Sequence, residues 1–543
     1  MARYSIGLDF GTESVRAVVV DTADGRVTGQ AWANYEHGVI DQKLPNGNGG
    51  KLPADYALQD PLDWLHGAGE ACKAALGAGD VLAEEVVGIG VDFTSCTMLA
   101  TKANGMPICL LADFRRMPLA WPKLWKHHGA RGQADRINKV ARERGEAWLA
   151  RYGGVVSLEW FFPKLLETLQ EAPEAYEAAE VWLEAGDWLV WQLTSGPFPH
   201  CRTEDLVRST CQAGYKAMWN AKTGYPSRAF FEAVHPGLVD VVAEKMPGRL
   251  LAPGARAGVL TKEAAGLLGL KVGTPVATAI IDAHAGVPGS GVADGSTMVL
   301  VMGTSSCHMM NARVERLVPG ICGVVDEGIL PGYFGYETGQ ASVGDAFAWV
   351  TRTLGVSHEE MNEKAARLGP GSGGVLALDW LNGCRTPLMD GRRTGAFVGI
   401  TLDTRPEQLY RAMLEATAMG LRWIVETMRE AGVMVERFVA GGGLPAKSPL
   451  LMQICADVLG AEIHLAASEQ SVAVGAAILG CVAAGSRATI EEAITAMARV
   501  REDLVYRPGA GREKYAELYR LYRELAGDEV MSGVMGRLRG MNG

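Results

Sequence analysis

Two apolar runs at the start of the chain flank a short polar tip. The runs cover residues 4–10 and 14–20, and the tip between them begins with Gly11-Thr12. This pattern predicts a β-hairpin with a glycine-permissive tip. Gly11 would let backbone N–H groups approach a ligand closely, and Thr12 adds a hydroxyl donor. Asp9 stands just before the tip, where a carboxylate could hold a hydrated magnesium ion. The alternative is an ordinary hairpin with a polar tip.

The same layout returns in the second half of the chain. An apolar run over residues 296–302 leads to the tip Gly303-Thr304-Ser305-Ser306, and a second apolar run follows. Internal repetition of this kind constrains the fold before any local detail does. Duplicated phosphate-binding hairpins are typical of the actin, hexokinase and heat-shock ATPase architecture. We therefore expect an α/β fold with two actin-like (ribonuclease H-like) ATPase domains that flank a catalytic cleft.

Strands and helices alternate along the rest of the chain, which favours mixed sheets. Residues 86–91 and 276–281 are apolar runs that predict strands, and the second run delivers Asp282 at its end. A third apolar run ends in the triple glycine 441–443, and a helical pattern follows over residues 448–459. Ligands in open α/β sheets bind at the carboxyl ends of strands, so these strand ends are candidate site positions.

A glycine-rich stretch over residues 286–295 is the best candidate for a domain boundary. We therefore predict an N-terminal domain over residues 1–290 and a C-terminal domain over residues 291–543. The uncharged stretch 471–486 is shorter than the roughly 20 residues that a membrane span needs. It predicts a helix that is buried on all sides.

Composition narrows the class of protein. The chain has 543 residues, 48% hydrophobic and 21% charged, with a net charge of −10. This acidic balance argues against binding to nucleic acid or to an anionic membrane surface. The ten cysteines include no C-x-x-C pair and indicate reduced thiols, and no histidine spacing suits zinc. The first strand begins near residue 4, leaving no room for a signal peptide, so we expect a cytoplasmic protein.

Phosphoryl transfer needs a phosphate cradle, a metal ion and a residue that accepts the proton of the attacking hydroxyl. Asp282 is the best candidate base, because it ends an apolar strand at the edge of the expected cleft. The alternative is that Asp282 merely caps the segment that follows. The triple glycine 441–443 offers a flat backbone surface for an adenosine, or else it is a tight strand-to-helix turn.

Two further charged residues stand in unusual surroundings. Lys216 lies in an otherwise uncharged window, and a buried lysine needs an acceptor. Glu337 lies in a glycine-rich turn. Each of them, taken alone, is more often a surface charge.

Ten short motifs, from residue 4 to about residue 480, form a characteristic set. They are Gly7-Leu-Asp-Phe-Gly-Thr-Glu-Ser14, His37-Gly-Val-Ile-Asp-Gln42, Gly88-Ile-Gly-Val-Asp-Phe-Thr94, Trp125-Lys-His-His128, Ala213-Gly-Tyr-Lys-Ala-Met-Trp219, Asp282-Ala-His284, Met302-Gly-Thr-Ser305, Gly335-Tyr-Glu337, Leu378-Asp-Trp-Leu-Asn-Gly383 and Gly441-Gly-Gly-Leu-Pro445. On these motifs the chain resembles the FGGY carbohydrate kinases, and within them the bacterial ribulokinases. The resemblance implies ATP-dependent phosphorylation of L-ribulose to L-ribulose 5-phosphate in L-arabinose catabolism, with closure of the two domains over ATP–Mg²⁺ and the sugar.

The resemblance also implies site residues. They are Asp282 as general base; Ser95, Cys96, Lys216 and Glu337, with Asp282, at the sugar; Gly11, Thr12, Gly303 and Thr304 at the phosphates; Gly442 and Gly443 at the adenosine; and Asp9 at Mg²⁺ through water.

Two positions depart from the pattern that the resemblance implies. Ser95 stands where alanine is expected, so its hydroxyl would change the preference among pentuloses. Cys384 replaces an expected asparagine, which weakens the assignment near the nucleotide.

Two other functions stay open from the sequence. One is a kinase for another pentulose or polyol, such as D-ribulose, xylulose or ribitol. The other is an actin-like ATPase that couples nucleotide state to protein binding, which would have no sugar site. We expect small-molecule partners, no nucleic acid, no membrane and possibly a homodimer.

Overall fold

Two seven-stranded sheets, one in each half of the chain, form the framework of the protein. The computed structural model describes residues 3–45 and 50–541. The strands are β1 Tyr4–Phe10, β2 Ser14–Asp21, β3 Val27–Asn34, β4 Val86–Phe93, β5 Met98–Thr101, β6 Val181–Glu184, β7 Val207–Ser209, β8 Arg249–Leu251, β9 Arg256–Val259, β10 Pro275–Ala277, β11 Ile280–Ile281, β12 Thr297–Met302, β13 Ser306–Ala312, β14 Gly323–Asp326, β15 Phe334–Gln340, β16 Leu376–Leu378, β17 Ala396–Val398, β18 Arg437–Gly441, β19 Ile463–Ala466 and β20 Val500–Tyr506.

Helices cover and connect these sheets. They are α1 Pro61–Gly79, α2 Arg131–Glu143, α3 Phe161–Glu171, α4 Pro173–Ala178, α5 Ala185–Ser195, α6 Thr210–Lys216, α7 Arg228–Val234, α8 Val241–Lys245, α9 Lys262–Leu268, α10 Asp282–Gly289, α11 Gly344–Leu354, α12 His358–Ala366, α13 Pro406–Glu430, α14 Gly443–Lys447, α15 Pro449–Leu459, α16 Ser471–Ala483, α17 Ile490–Met497, α18 Arg512–Gly527 and α19 Glu529–Gly540. In the described part of the chain, none of these helices is both long and apolar enough to cross a bilayer.

The N-terminal sheet has the strand order β3-β2-β1-β4-β10-β9, and β11 also pairs with β4. Strands β1 and β2 form the predicted antiparallel hairpin, whose register pairs Phe10 with Val15. Strands β1 and β4 are parallel, and their register sets Asp9 beside Asp92. Because neighbouring residues in a parallel pair point to the same face, two carboxylates meet at this end of the sheet.

The C-terminal sheet has the order β14-β15-β13-β12-β18-β19-β20. Strands β12 and β13 form the second predicted hairpin, with Met302 opposite Ser306. Strand β18 lies parallel to β12, so its glycine turn reaches the same sheet edge as the tip at Gly303. Gly442 has a φ of 90°, and a Cβ there would lie 2.6 Å from the Met302 carbonyl oxygen. Only glycine fits this position, which joins the turn to the second hairpin.

The strand predicted over residues 276–281 is interrupted. Val276 pairs with Ile89, whereas Ile280 pairs with Asp92, so β10 and β11 advance four residues while β4 advances three. The one extra residue between β10 and β11 forms a β-bulge, and a β-bulge changes the direction of the chain that follows it. Thr278 sits in the interruption, where its backbone N–H donates to the Ala255 carbonyl over 2.9 Å.

The strand end at Asp282 opens directly into α10, so the glycine-rich stretch 286–295 begins inside a helix. Asp282 occupies the first position of α10, after the N-cap residue Ile281. The predicted buried helix over 471–486 is confirmed as α16, and all but a few of its residues are inaccessible to solvent.

Helix α16 belongs to the C-terminal half of the chain but packs on the N-terminal sheet. A Cβ at Gly7 or Gly90 would overlap a backbone carbonyl of α16. A Cβ at Gly475 would overlap the carbonyl of Ala285 on α10. Backbone therefore meets backbone across this interface, which couples the two halves at the base of the cleft.

We expect Gly475→Ala to destabilise the protein by about 1–3 kcal/mol, because the new methyl group must displace the backbone of α10. The matched control is Gly77→Ala in α1, where an added Cβ meets nothing within 4 Å. That control should be neutral or stabilising, since alanine favours a helix over glycine. Thermal unfolding of both variants is the measurement, and equal melting temperatures would contradict the packing argument.

Candidate active site

One cavity of about 430 Å³ lies between the ends of the two sheets. It brings together eleven of the twelve residues that the sequence nominates: Asp9, Thr12, Ser95, Cys96, Lys216, Asp282, Gly303, Thr304, Glu337, Gly442 and Gly443. Gly11 does not line the cavity. Its N–H donates to the Ser14 carbonyl over 2.9 Å and so shapes the tip from within. The two hairpins, which are about 290 residues apart in sequence, therefore face one space.

Both hairpin tips are held from outside by bonds to other segments. The Thr12 hydroxyl accepts from the Trp125 indole N–H over 3.1 Å, and the Thr12 carbonyl accepts from the Gln59 amide over 2.7 Å. In the second tip, the Thr304 carbonyl accepts from the N–H of Val343 over 2.9 Å. Val343 directly precedes α11, so the start of this helix supports the tip.

A concentration of negative charge lies at the ends of β1 and β4. Asp92 is fully buried, and neither of its carboxylate oxygens has a hydrogen-bond partner in the described part of the chain. Burial raises the pKa of Asp92 well above its usual range, and the charges of Asp9 and Asp282 raise it further. Burial also raises the pKa of Asp9, although Arg16 opposes this with an ion pair at 3.2 Å.

These carboxylates suit a divalent cation. Hard oxygen ligands are what Mg²⁺ prefers, and a bound cation would offset the charge that Asp9 and Asp92 leave uncompensated. Asp9 lines the cavity and would hold the ion, with Asp92 behind it. The residues present therefore fit the magnesium ion that the motifs imply.

Asp282 lines the cavity at the start of α10. Among the described residues, its one hydrogen-bond donor is the N–H of its neighbour Ala283, 2.8 Å from Oδ1. Burial raises the pKa of Asp282 to about 7, with further contributions from Asp9 and Glu337, while Lys216 lowers it. A carboxylate with a pKa near neutrality can take up a proton during catalysis and release it afterwards.

Lys216 and Glu337 form an ion pair across the two halves of the chain. The Nζ of Lys216, at the end of α6, lies 2.7 and 2.8 Å from the two carboxylate oxygens of Glu337. Glu337 lies in the middle of strand β15, so the turn expected around it is wrong. Both residues are nearly inaccessible, at 4% and 6%. Burial opposes both charges, but the neighbouring basic groups, Lys216 foremost, together outweigh it and lower the pKa of Glu337. Burial lowers the pKa of nearby His284 to about 3, so His284 adds no positive charge.

The wall formed by Ser95 and Cys96 has an unusual backbone. Cys96 has a φ of 57°, which residues with a side chain seldom adopt. Its carbonyl accepts from the Nζ of Lys164 over 2.6 Å, and the same Nζ donates to the Leu124 carbonyl over 2.7 Å. Lys164 is fully buried on α3. It therefore ties the wall to the segment that carries Trp125, which reaches the first phosphate hairpin.

Sequence reasoning missed several residues of the site. Lys164, which supports the Cys96 carbonyl, lies in the segment FFPKLLETLQE, and the uncharged-window argument that singled out Lys216 did not reach it because this segment also contains Glu167 and Glu171. Arg385 and Met389 line the cavity and follow Cys384, so this segment contributes to the cavity wall. Glu159 and Trp160 also line the cavity, and no motif in the sequence pointed to them.

Comparison with known protein families decides the assignment. The model for the N-terminal domain of the FGGY family of carbohydrate kinases matches residues 4–289, and the model for its C-terminal domain matches residues 298–484. The chain belongs to the FGGY family of carbohydrate kinases. The protein is therefore a sugar kinase, which is a phosphotransferase. The resemblance to this family that the sequence motifs indicated is confirmed.

Full-length relatives share much of the sequence. A ribulokinase of Shouchella clausii is 47% identical over 539 residues, which cover 97% of this chain and 94% of that protein. Ribulokinases of Geobacillus thermodenitrificans and Mycolicibacterium smegmatis are 45% and 44% identical, with 96% of this chain covered and 94% and 93% of theirs.

Solved structures confirm the expected fold. The xylulose kinase of Rhodospirillum rubrum matches with a TM-score of 0.77 at 23% identity, covering 96% of this chain and 98% of that one. The gluconate kinase of Lactobacillus acidophilus matches with a TM-score of 0.79 at 21% identity, covering 98% and 99%. The two-domain α/β architecture is thus that of FGGY kinases.

Proposed function

We propose that this FGGY kinase transfers the γ-phosphoryl group of ATP to the 5-hydroxyl of L-ribulose, which yields L-ribulose 5-phosphate in L-arabinose catabolism. The observation that carries the proposal is the single cavity that contains both phosphate hairpins, Asp282 and the Lys216–Glu337 pair. An ATPase that signals to a protein partner would need only the hairpins. The relatives named ribulokinase, at 44–47% identity over nearly the whole chain, favour ribulose among the pentuloses.

In the proposed mechanism, Asp282 accepts the proton of the 5-hydroxyl as that oxygen attacks the γ-phosphorus atom and ADP leaves. Lys216 donates to sugar oxygens and Glu337 accepts from sugar hydroxyls, while Ser95 and Cys96 form the wall beside them. The tips at Gly11-Thr12 and Gly303-Thr304 orient the phosphates, and Gly442-Gly443 contact the adenosine. Magnesium, held at Asp9 through water, would neutralise charge on the phosphates.

Substrate choice is the direct test of this proposal. ADP release should be measured with L-ribulose, D-ribulose, D-xylulose, ribitol and glycerol at saturating ATP–Mg²⁺. We expect kcat/KM to be highest with L-ribulose. Faster turnover of another acceptor would reassign the substrate, and ADP release that ignores every sugar would exclude a sugar kinase. Ser95→Ala belongs in the same panel, because removal of the hydroxyl should change the ranking of the pentuloses.

Asp282→Asn tests the general base. The amide cannot accept the proton, so we expect kcat to fall by about 10²–10⁴-fold while sugar binding stays nearly unchanged. In the parent enzyme, protonation of Asp282 should lower the rate as the pH falls below about 7, the direction that its raised pKa sets. Asp135→Asn on the exposed face of α2 is the control and should leave kcat unaltered. A loss of less than tenfold in Asp282→Asn would remove this residue from the base role.

Domain closure is part of the proposed mechanism. Water in an open cleft would compete with the sugar hydroxyl for the phosphoryl group, so closure on the sugar should suppress ATP hydrolysis. We expect small-angle scattering to show a smaller radius of gyration with L-ribulose plus a non-hydrolysable ATP analogue than with either ligand alone. An unchanged radius would contradict closure.

The remaining features of the proposal concern the setting of the enzyme. We propose cytoplasmic activity on small molecules without a nucleic-acid partner, in keeping with the net charge of −10, and a homodimer as the assembly. Light scattering in solution distinguishes a dimer from a monomer.

A further inference from the structure

Arg385 brings a positive charge into the cleft from the C-terminal half of the chain. It follows β16, in a loop that is closed by reciprocal backbone bonds between Cys384 and Asp390, at 3.1 and 2.9 Å. The N–H of Thr386 donates to the carbonyl of Gly339 on β15 over 3.1 Å. The loop is therefore fastened to the strand that carries Glu337, two residues before Gly339. Arg385 thus has a fixed position relative to Glu337.

The guanidinium of Arg385 has donors to spare. Its one hydrogen-bond partner in the described part of the chain is the Sγ of Cys307, 4.0 Å from Nη1. Within the same described residues, no carboxylate oxygen lies within 4.0 Å of it. An arginine carries five N–H donors in a planar fork and is always charged, so a half-buried one normally finds oxygen acceptors. Arg385 lines the cavity, so a bound ligand can supply such acceptors.

Lys216 and Arg385 are the lysine and arginine side chains that line the cavity. Lys216 is already neutralised by Glu337, at 2.7 Å. Arg16, just outside, is paired with Asp9 at 3.2 Å. Among the described residues that line the cavity, Arg385 is therefore the cation without an ion-pair partner.

The surroundings of Arg385 favour a neutral ligand over a phosphate. Glu159 and Glu337, which line the same cavity, are the carboxylates that act on Arg385 electrostatically. Glu337 is compensated by Lys216, but Glu159 would repel a phosphate placed at Arg385, whereas a neutral sugar can accept from the guanidinium and donate to either carboxylate. Cys307, which Arg385 contacts, lies opposite Gly339 on the sheet, and Met309 lies opposite Glu337. This part of the wall adjoins the residue proposed to hold the sugar.

We propose that Arg385 is a substrate-contacting residue that donates hydrogen bonds to oxygens of the acceptor sugar from the C-terminal half of the cleft. Ser95 and Cys96 contact the sugar from the N-terminal half, so the sugar is held between the two halves. This inference depends on the proposed function only for the identity of the sugar. The test should therefore use whichever acceptor the parent enzyme phosphorylates best. An error in the L-ribulose assignment then does not affect the test of Arg385.

Arg385→Met should raise both the Kd and the KM for the sugar by about 10- to 100-fold, the range expected for a lost hydrogen bond to a charged group. The KM for ATP should change less than threefold. Sugar binding without nucleotide can be followed by the fluorescence of Trp125 and Trp160, which line the cavity. Arg392→Met in the same loop is the matched control, because that side chain is 79% exposed, and its constants should equal those of the parent.

Three results would overturn the proposal. An unchanged sugar Kd with a large loss of kcat would move Arg385 to the phosphoryl group. Unchanged constants throughout would leave it without a role in the site. If Glu159→Gln reproduced the loss and the double variant were no worse than either single one, Arg385 would act by pairing with Glu159 across the cleft. Arg385→Lys keeps the positive charge but loses the planar guanidinium, so its Kd for the sugar should lie between those of the parent and of Arg385→Met. This variant replaces Arg385→Met in the test if the methionine variant does not fold.

Discussion

The backbone contact between α16 and the N-terminal sheet is the constraint on which the cleft depends. At Gly7 on β1 and Gly90 on β4, the helix lies too close for any side chain to fit. At Gly475 on α16, the backbone of α10 is equally close. These elements carry two of the proposed site residues: Asp9 near the end of β1, and Asp282 at the start of α10. The close packing of α16 thus fixes where the proposed metal carboxylate and the proposed proton acceptor lie relative to the C-terminal half.

The electrostatic balance differs between the two ends of the cavity. Glu337 is compensated by Lys216, and the two charges are contributed by opposite halves. Among the described residues, the partly exposed Arg16 is the one cation that forms an ion pair with the group of Asp9, Asp92 and Asp282. Excess negative charge at the phosphate end and a balanced pair at the sugar end are suited to different ligands, a metal–nucleotide complex and a neutral polyhydroxy compound.

Local pattern was enough to predict the hairpins, because their strands are adjacent in sequence and the apolar runs and tips determine the pairing. The strand end at Asp282 was predicted for the same reason, but the bulge at Thr278 was not, since it depends on a bond to the distant Ala255. The Lys216–Glu337 pair required contact between residues 121 positions apart, which no single-sequence pattern encodes. Arg385 was missed because a charged residue after a turn is usually a surface residue.

Helix α16 also determines which part of the chain can fold independently. Although the family models divide the chain near residue 290, the strands β1 and β4 are covered by a helix that lies about 180 residues further on. A fragment that ended at the division would expose the glycine-lined groove and the buried face of α10 to water. Burial of the sheet face at Gly7 and Gly90 requires a helix that ends at Ala483, so we expect this face to stay exposed until most of the polypeptide has been synthesised.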